Sequence, residues 1–286
     1  MRCNVNPDLG QKRFSTLRPA VTASREVMVV GAGPGGAEFA LRAASQGHRV
    51  RLFEEAEEVG GQLRFARTPS FKRDLDSLVR FYSHRLEREG VDVLVGESAT
   101  VELVAQVEPD ILVVATGSAP VIPAALMAEG TPPITYLEVF GGSWELQGSA
   151  LVIGAGQIGC DVAMFLAQRG VAITIVETLA DVAPTEDASI RDFFRAGFAE
   201  HGVEVRTRTK VLSATSSSIE AVDMVSGSVA QLPYENLVLA VGVRPNRDLF
   251  NEVKANQPTH LVGDCHSVGT ILEATARAAR LADELM

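Results

Sequence analysis

An α/β chain with two parallel-sheet domains is what this sequence predicts, and three observations predict it. A short apolar run, Glu26-Val27-Met28-Val29-Val30, ends at Gly31, which is how a strand buried on both faces reads. A helical stretch and a second apolar run ending in acidic residues follow at once. The whole pattern then begins again at Leu151, with Gly154 standing where Gly31 stood, 123 residues earlier.

Taken in order, residues 1–24 have no clear periodicity and carry Pro7, Gly10 and Pro19, so they read as an extended arm. Residues 34–47 form a helix whose packing face is Phe39, Ala40, Leu41, Ala43 and Ala44. Val50-Arg51-Leu52-Phe53 is the next strand, ending on Glu54 and Glu55, and closes a βαβ unit of about 30 residues. An amphipathic helix over 70–90 places charges between Leu75, Leu78, Val79, Phe81, Tyr82 and Leu86. Val91–Val95 and Ile111–Val114 are further strands. Residues 118–148 are rich in Pro and Gly and read as a hinge or linker. The repeat follows as a strand at 151–153, a helix over 157–169, and a strand Val171–Val176 ending on Glu177. His201-Gly202 reads as a helix end. Residues 203–240 read as short strands with turns, ending in the buried strand Leu237-Val238-Leu239-Ala240. His260-Leu261-Val262 leads into Gly263-Asp264, and a last helix spans 268–285.

The chain has 286 residues, is 46% hydrophobic and carries a formal net charge of −10. Two domains follow from length. The negative charge opposes nucleic acid and anionic lipid, and 6% aromatic residues supply little surface for stacking bases. No apolar run reaches the roughly 18 residues of a membrane span, and the N-terminus lacks the apolar core of a secretion signal. A cytoplasmic location is expected. Cys3, Cys160 and Cys265 are an odd count with no close pair, which suits a reducing compartment.

The two glycine loops carry the chemistry. Gly31-Ala32-Gly33-Pro34-Gly35-Gly36 places glycines at 31, 33 and 36. The first permits a tight turn, the second lets a pyrophosphate approach the backbone, and the third lets strand and helix pack closely. The following helix aims its free N–H groups and dipole at the phosphates. Glu54 stands 18 residues beyond Gly36, where a carboxylate accepts hydrogen bonds from ribose hydroxyls. The second loop, Gly154-Ala155-Gly156-Gln157-Ile158-Gly159, repeats this with Glu177, again 18 residues on. Glu177 would repel a 2′-phosphate, and Thr178 and Leu179 add no positive charge, so NAD(H) is favoured over NADP(H). Arg191 or Arg208, arriving from elsewhere in the fold, would reverse that preference.

The order of motifs resembles a known family. Glu54 is followed by Gly60-Gly61-Gln62-Leu63, Ala115-Thr116-Gly117, the second loop, Ala240-Val241-Gly242, Pro245-Asn246 and finally Gly263-Asp264. This resembles the flavoprotein disulfide reductase superfamily with two dinucleotide folds over residues 26–286. The resemblance implies two Rossmann-like domains, the NAD domain inserted in the FAD domain. FAD, or ADP alone, would lie in 25–120 with 243–286, and NAD(H) in 121–242. It also implies that Gly31, Gly33, Pro34, Gly36, Glu54, Gly61, Gln62, Thr116, Gly117, Gly263 and Asp264 serve the first nucleotide. Gly154, Gly156, Gln157, Ile158, Gly159, Glu177 and Gly242 would serve the second.

Two departures shape the expected activity. A disulfide reductase needs paired thiols beside its flavin, and no CxxC or CxxxxC occurs, so Cys160 and Cys265 read as small buried residues. The arm Arg2-Cys3-Asn4-Val5-Asn6-Pro7 with Gly10 resembles the last cluster-cysteine segment of the 2,4-dienoyl-CoA reductase, trimethylamine dehydrogenase and histamine dehydrogenase family. Members of that family carry an N-terminal FMN barrel and a [4Fe–4S] cluster. Cys3 would be one cluster ligand, its companions and FMN belonging to a barrel domain or subunit outside this chain. The resemblance implies an NADH-dependent module passing hydride to FAD and electrons onward, with nicotinamide C4 aligned on flavin N5. His266 is then a residue that could tune the flavin. The alternative is an ADP-binding structural or electron-transfer module. No residue of the sequence reads as a catalytic acid or base, and the resemblance is compatible with a homo-oligomer.

Overall fold

The computed structural model describes residues 3, 5–9, 23–127, 133–143 and 148–285. The remainder of the predicted arm, residues 10–22 with Gly10 among them, lies outside the described residues, as do Arg2 and Asn4. In chain order the elements are β1 (Glu26–Val30), α1 (Pro34–Ser45), β2 (Arg49–Glu54), α2 (Leu63–Ala66), α3 (Leu75–Arg88), β3 (Asp92–Val95), α4 (Val101–Val107), β4 (Ile111–Val114) and β5 (Ser118–Pro120). Then come β6 (Ile134–Thr135), α5 (Tyr136–Gly141), β7 (Ser149–Ile153), α6 (Gln157–Ala167), β8 (Ala172–Val176), α7 (Ala188–Glu200) and β9 (Glu204–Arg206). The last are β10 (Thr209–Ala214), β11 (Ser218–Asp223), β12 (Val229–Pro233), β13 (Asn236–Leu239), β14 (Val243–Pro245), α8 (Asp248–Val253), β15 (Thr259–Leu261) and α9 (Ile271–Leu285).

Two compact units result. The first comprises Met1–Arg67, Lys72–Ala119 and Arg244–Met286, and the second Thr68–Phe71 with Pro120–Val243. The first unit holds a parallel sheet of order β15-β4-β1-β2-β3. β1 is central because its residues 27–30 are all buried, as a strand covered on both faces requires. Small residues set the helix layer: Ala37, Ala40 and Ala43 of α1 and Ala278 and Ala282 of α9 share one buried cluster with Val27, Val29 and Leu52. The second unit repeats the plan with order β6-β13-β7-β8-β9, all parallel. An antiparallel meander, β10-β11-β12, packs Ile219, Ala221 and Leu232 against Leu151, Val176 and Leu239 of that sheet.

The linker reading of 118–148 is corrected in part. Ile134 and Thr135 pair in parallel with Val238 and Leu239 as the edge strand of the second sheet, and α5 follows directly. Thr135 and Glu138 form a reciprocal capping box. The Thr-x-x-Glu signature was in the sequence, masked by the Pro and Gly around it. The helix expected over 70–90 is shorter, with a single 3₁₀ turn at Ser70–Lys72 before α3. α7, anchored by buried Phe194 and Phe198, was not foreseen as an element, although its His201 C-cap was.

An ion network ties the start of the chain to the first unit. Arg42, on α1, is buried and places Nε 2.7 Å from Glu38 Oε1, Nη2 2.8 Å from Asp8 Oδ2 and Nη1 3.6 Å from Asp283 Oδ1. Pro7 beside Asp8 is buried as well. Burial pushes the Glu38 carboxyl above its ordinary range, against the lowering pull of Arg42. Removing Arg42 therefore strands a buried carboxylate, which costs about 3 kcal/mol or more at neutral pH. A group whose folded pKa is raised penalises the charged form, and that penalty disappears as pH falls through the raised value. Urea denaturation of Arg42→Ala should show a large deficit at pH 8 that shrinks toward pH 5. A deficit that is unchanged or larger at pH 5 contradicts this account.

Candidate functional site

Each unit builds the same turn at the end of its first central strand. In the first unit, Gly31 adopts φ +101°, and its N–H donates to Phe53 O at 2.7 Å. A methyl on Gly31 would meet Ala115 O at 2.4 Å, and one on Gly36 would meet Gly31 O at 1.9 Å. In the second unit, Gly154 adopts φ +99° and donates to Val176 O at 2.9 Å. A methyl there would meet Ala240 O at 2.4 Å, and one on Gly159 would meet Gly154 O at 1.9 Å. These contacts are why glycine is needed at the first and third positions: a positive φ with no room for a side chain, and a helix seated on the turn.

The carboxylates repeat the match. Glu54, buried at the end of β2, accepts from Ala32 N–H at 2.8 Å and Ala56 N–H at 3.0 Å. Glu177, buried at the end of β8, accepts from Ala155 N–H at 2.6 Å and Leu179 N–H at 2.7 Å. In each case the carboxylate holds an amide of the glycine loop 22 residues before it and an amide two residues after it. Glu177 Oε1 also accepts from Thr178 Oγ1 at 3.0 Å, but each carboxylate keeps an oxygen with a single hydrogen-bond partner among the described residues, so both positions fit the ribose of a nucleotide.

In the first unit the sequence-predicted residues converge. Gly33 caps α1 and Pro34 occupies its first turn, with no acidic residue in that turn. Gly60 N–H donates to Ala32 O at 2.8 Å, and a methyl on Gly61 would meet Gly33 Cα at 2.9 Å. Gly263 packs against Gly35, where an added methyl would lie 3.1 Å from Gly263 Cα. Gln62 Nε2 donates to Ser118 Oγ at 2.9 Å, and Ser118 Oγ donates to Asp264 Oδ2 at 3.0 Å. Gly269 N–H holds the other Asp264 oxygen at 3.2 Å. Burial raises the Asp264 carboxyl above its ordinary value, while Ser118, Gly269 and Arg277 pull it down. Thr116 donates through Oγ1 to Asn246 O at 2.7 Å, and Gly117 O accepts from Asn246 N–H at 2.9 Å. Sequence reading missed Ser118 as the link between Gln62 and Asp264, since an isolated serine outside any motif carries no signal. It also missed Arg247, whose guanidinium holds the Cys265 and His266 carbonyls.

In the second unit, Gly156 caps α6, Gln157 is exposed at its start and Ile158 is half-buried. Gly242, with φ +110°, offers its carbonyl to Val121 N–H at 3.0 Å. Arg191 is engaged elsewhere: Nη1 donates to Glu186 O at 2.7 Å, and Nε lies 4.0 Å from Asp181. The Arg208 side chain is exposed, and its backbone N–H donates to Leu179 O at 2.9 Å.

The cysteines stand apart from this chemistry. Cys160 is buried with Sγ 3.3 Å from Ala155 O, and Cys265 is buried with Sγ 3.0 Å from Val262 O. Burial pushes the Cys265 thiol up, which keeps it a poor nucleophile. His266 is exposed, and desolvation together with the positive charges of Arg277 and Arg247 lowers its pKa from the ordinary imidazole value. Cys3 is half-buried, and among the described residues no group of three or more His, Cys, Asp or Glu side chains could hold a metal. A cluster needs about four thiolates, so the described residues of this chain do not by themselves fit one. Among the described residues no helix is long and apolar enough to cross a membrane.

This twice-built turn defines the class: the chain belongs to the pyridine nucleotide-disulphide oxidoreductase family, whose profile matches residues 25–261. Members of that oxidoreductase family bind FAD and NAD(P). Among its relatives, it is 31% identical over 291 residues to the NADH oxidase of Thermoanaerobacter brockii, covering 99% of this chain and 44% of that one. It is 32% identical over 270 residues to the bilirubin reductase of Mediterraneibacter gnavus, covering 93% of this chain and 41% of that one. In fold it matches a 2-naphthoyl-CoA reductase with a TM-score of 0.92 at 24% identity, across 99% of this chain and 43% of that one. Histamine dehydrogenase from Rhizobium sp. 4-9 matches with a TM-score of 0.88 at 21% identity, across 99% and 48%. The chain thus spans less than half the length of these relatives.

The turn's packing makes a stability prediction. A methyl on Gly159 has a backbone oxygen 1.9 Å away, whereas one on Gly156 meets nothing within 4 Å. Gly159→Ala should cost about 3 kcal/mol or more, lowering Tm by roughly 10 °C at 2–4 °C per kcal/mol. Gly156→Ala should leave Tm nearly unchanged. Thermal melts that fail to separate the two variants contradict the packing argument.

Proposed function

We propose that the chain is an NADH-dependent flavoprotein reductase module, with FAD in the first unit and NADH in the second. The observation that carries this reading is the duplicated turn, matched from glycine contacts to carboxylate hydrogen bonds. FAD, when bound, supplies an acceptor for the two electrons of a hydride and can release them one at a time. The residues of the chain supply position and charge. In the first unit the α1 N-terminus and the backbone at Gly33 fit a diphosphate, and Glu54 fits the ribose. Gln62, Ser118 and Asp264 form a hydrogen-bonded line that would fix the far half of the nucleotide. In the second unit Gly156 leaves open space over the α6 N-terminus, and Glu177, held on Ala155 N–H of the loop, would accept from the adenosine ribose.

The partner that would take the electrons onward is a barrel carrying FMN and a [4Fe–4S] cluster, as a preceding domain or as a separate subunit, to which this chain would offer at most Cys3 as a ligand. Two observations support that partner: the relatives extend well beyond the matched region, and Asp8 with buried Pro7 docks the segment next to Cys3 on α1. Among the described residues Cys160 and Cys265 are separate, buried free thiols, which supports an acceptor other than a disulfide of this chain.

Binding measurements test the second site. Gly156→Ala retains the fold but places a methyl where the pyrophosphate would approach, and should weaken NADH by about tenfold or more. Wild type should favour NADH over NADPH by a similar factor, because a ribose-binding Glu177 would repel a 2′-phosphate. Calorimetric titration giving equal NADH affinity for wild type and Gly156→Ala would remove the second-loop assignment. Equal affinity for NADH and NADPH in wild type would remove the selectivity assigned to Glu177.

A further inference from the structure

The first glycine loop carries no side-chain cation of its own, and a nearby arginine outside every motif supplies one. Arg64 lies on α2, directly after Gly60-Gly61-Gln62-Leu63. Its Nε donates to Gly61 O at 3.2 Å, and its Cγ lies 3.5 Å from where a methyl on Gly60 would sit. The side chain is therefore wrapped around the glycine pair. That pair is stitched to the loop by the Gly60–Ala32 hydrogen bond and the close approach of Gly61 to Gly33. Arg64 is half-buried, its guanidinium carbon 5.3 Å from the Phe65 ring centroid, and among the described residues it forms no ion pair. Its neighbour Arg67, by contrast, is held by Glu58 and Asp76. In a chain of net charge −10, a half-buried arginine with no carboxylate partner among the described residues, held on a glycine pair that packs against the first loop, is an unbalanced positive site.

We propose that Arg64 is a further binding residue of the first site, its guanidinium contacting the diphosphate of the nucleotide held on the glycine loop. This rests on reading the first unit as a nucleotide site. The planar fork suits phosphate oxygens, and one nitrogen anchored on Gly61 O leaves the others preset. The shared chemistry is the diphosphate, which FAD and ADP both carry.

The test is equilibrium titration of the full chain, freed of nucleotide, with FAD, ADP and the phosphate-free control adenosine. Wild type, Arg64→Gln and Arg64→Lys are compared, with Tm measured for each. Arg64→Gln should weaken FAD and ADP by the same factor, about tenfold or more, the loss of a charge-assisted contact. Adenosine affinity and Tm should not change, Arg64→Lys should recover part of the loss, and the salt dependence of ADP binding should become shallower. Arg64→Gln binding FAD and ADP like wild type overturns the proposal. So does an equal loss for adenosine, which would mean a general distortion, or a loss for FAD alone, which would place the contact at the flavin end. A wild-type chain that binds none of the three refutes the reading of the first site itself, and the proposal with it.

Discussion

One contact governs both halves of this chain: the carbonyl oxygen of the first loop glycine lies where a methyl on the third would be, 1.9 Å from it in each unit. That contact brings the helix down onto the strand end. It also turns the helix N-terminus toward the loop, since the first-turn N–H groups have no intrahelical acceptor. The buried carboxylates of Glu54 and Glu177 then lock each loop through its Ala32 or Ala155 amide. A carboxylate buried for structure alone would be a costly choice. Here the backbone N–H bonds to each carboxylate offset part of the desolvation.

The units differ in what surrounds this common turn. The first adds a long C-terminal helix, α9, packed on α1 through alanines, and a return strand, β15, that delivers Asp264 to Ser118 and Gln62. The second adds the β10-β11-β12 meander over its sheet. The shared turn suits the shared chemistry of two dinucleotides, and the additions suit the parts in which they differ.

Much of this was legible in the sequence, and the physical reason is that buried parallel strands, glycine turns and acidic strand ends impose local residue choices. β1, β4 and β7 read directly as apolar runs, and the spacing to Glu54 and Glu177 followed from the length of a helix and a strand. What stayed hidden depended on tertiary partners. β6 is two residues at a sheet edge inside a Pro- and Gly-rich stretch, and only its pairing with Val238 and Leu239 identifies it as a strand. Ser118 and Arg64 gain their meaning from residues far along the chain or from a loop folded back on another. Arg191 and Arg208 were equivalent on the sequence, and they separate only in three dimensions: one is engaged by carbonyls, the other is exposed beside Leu179.

The central claim is that the first unit holds a flavin which NADH reduces. The most direct measurement is an anaerobic absorption spectrum of the full chain, reconstituted with FAD, before and after NADH, with the nucleotide released from the protein as purified identified separately. The account predicts a flavin spectrum that NADH bleaches and equimolar NADPH bleaches less. A chain that stays colourless after reconstitution and releases only ADP, or one whose flavin spectrum NADH leaves unchanged, would contradict it.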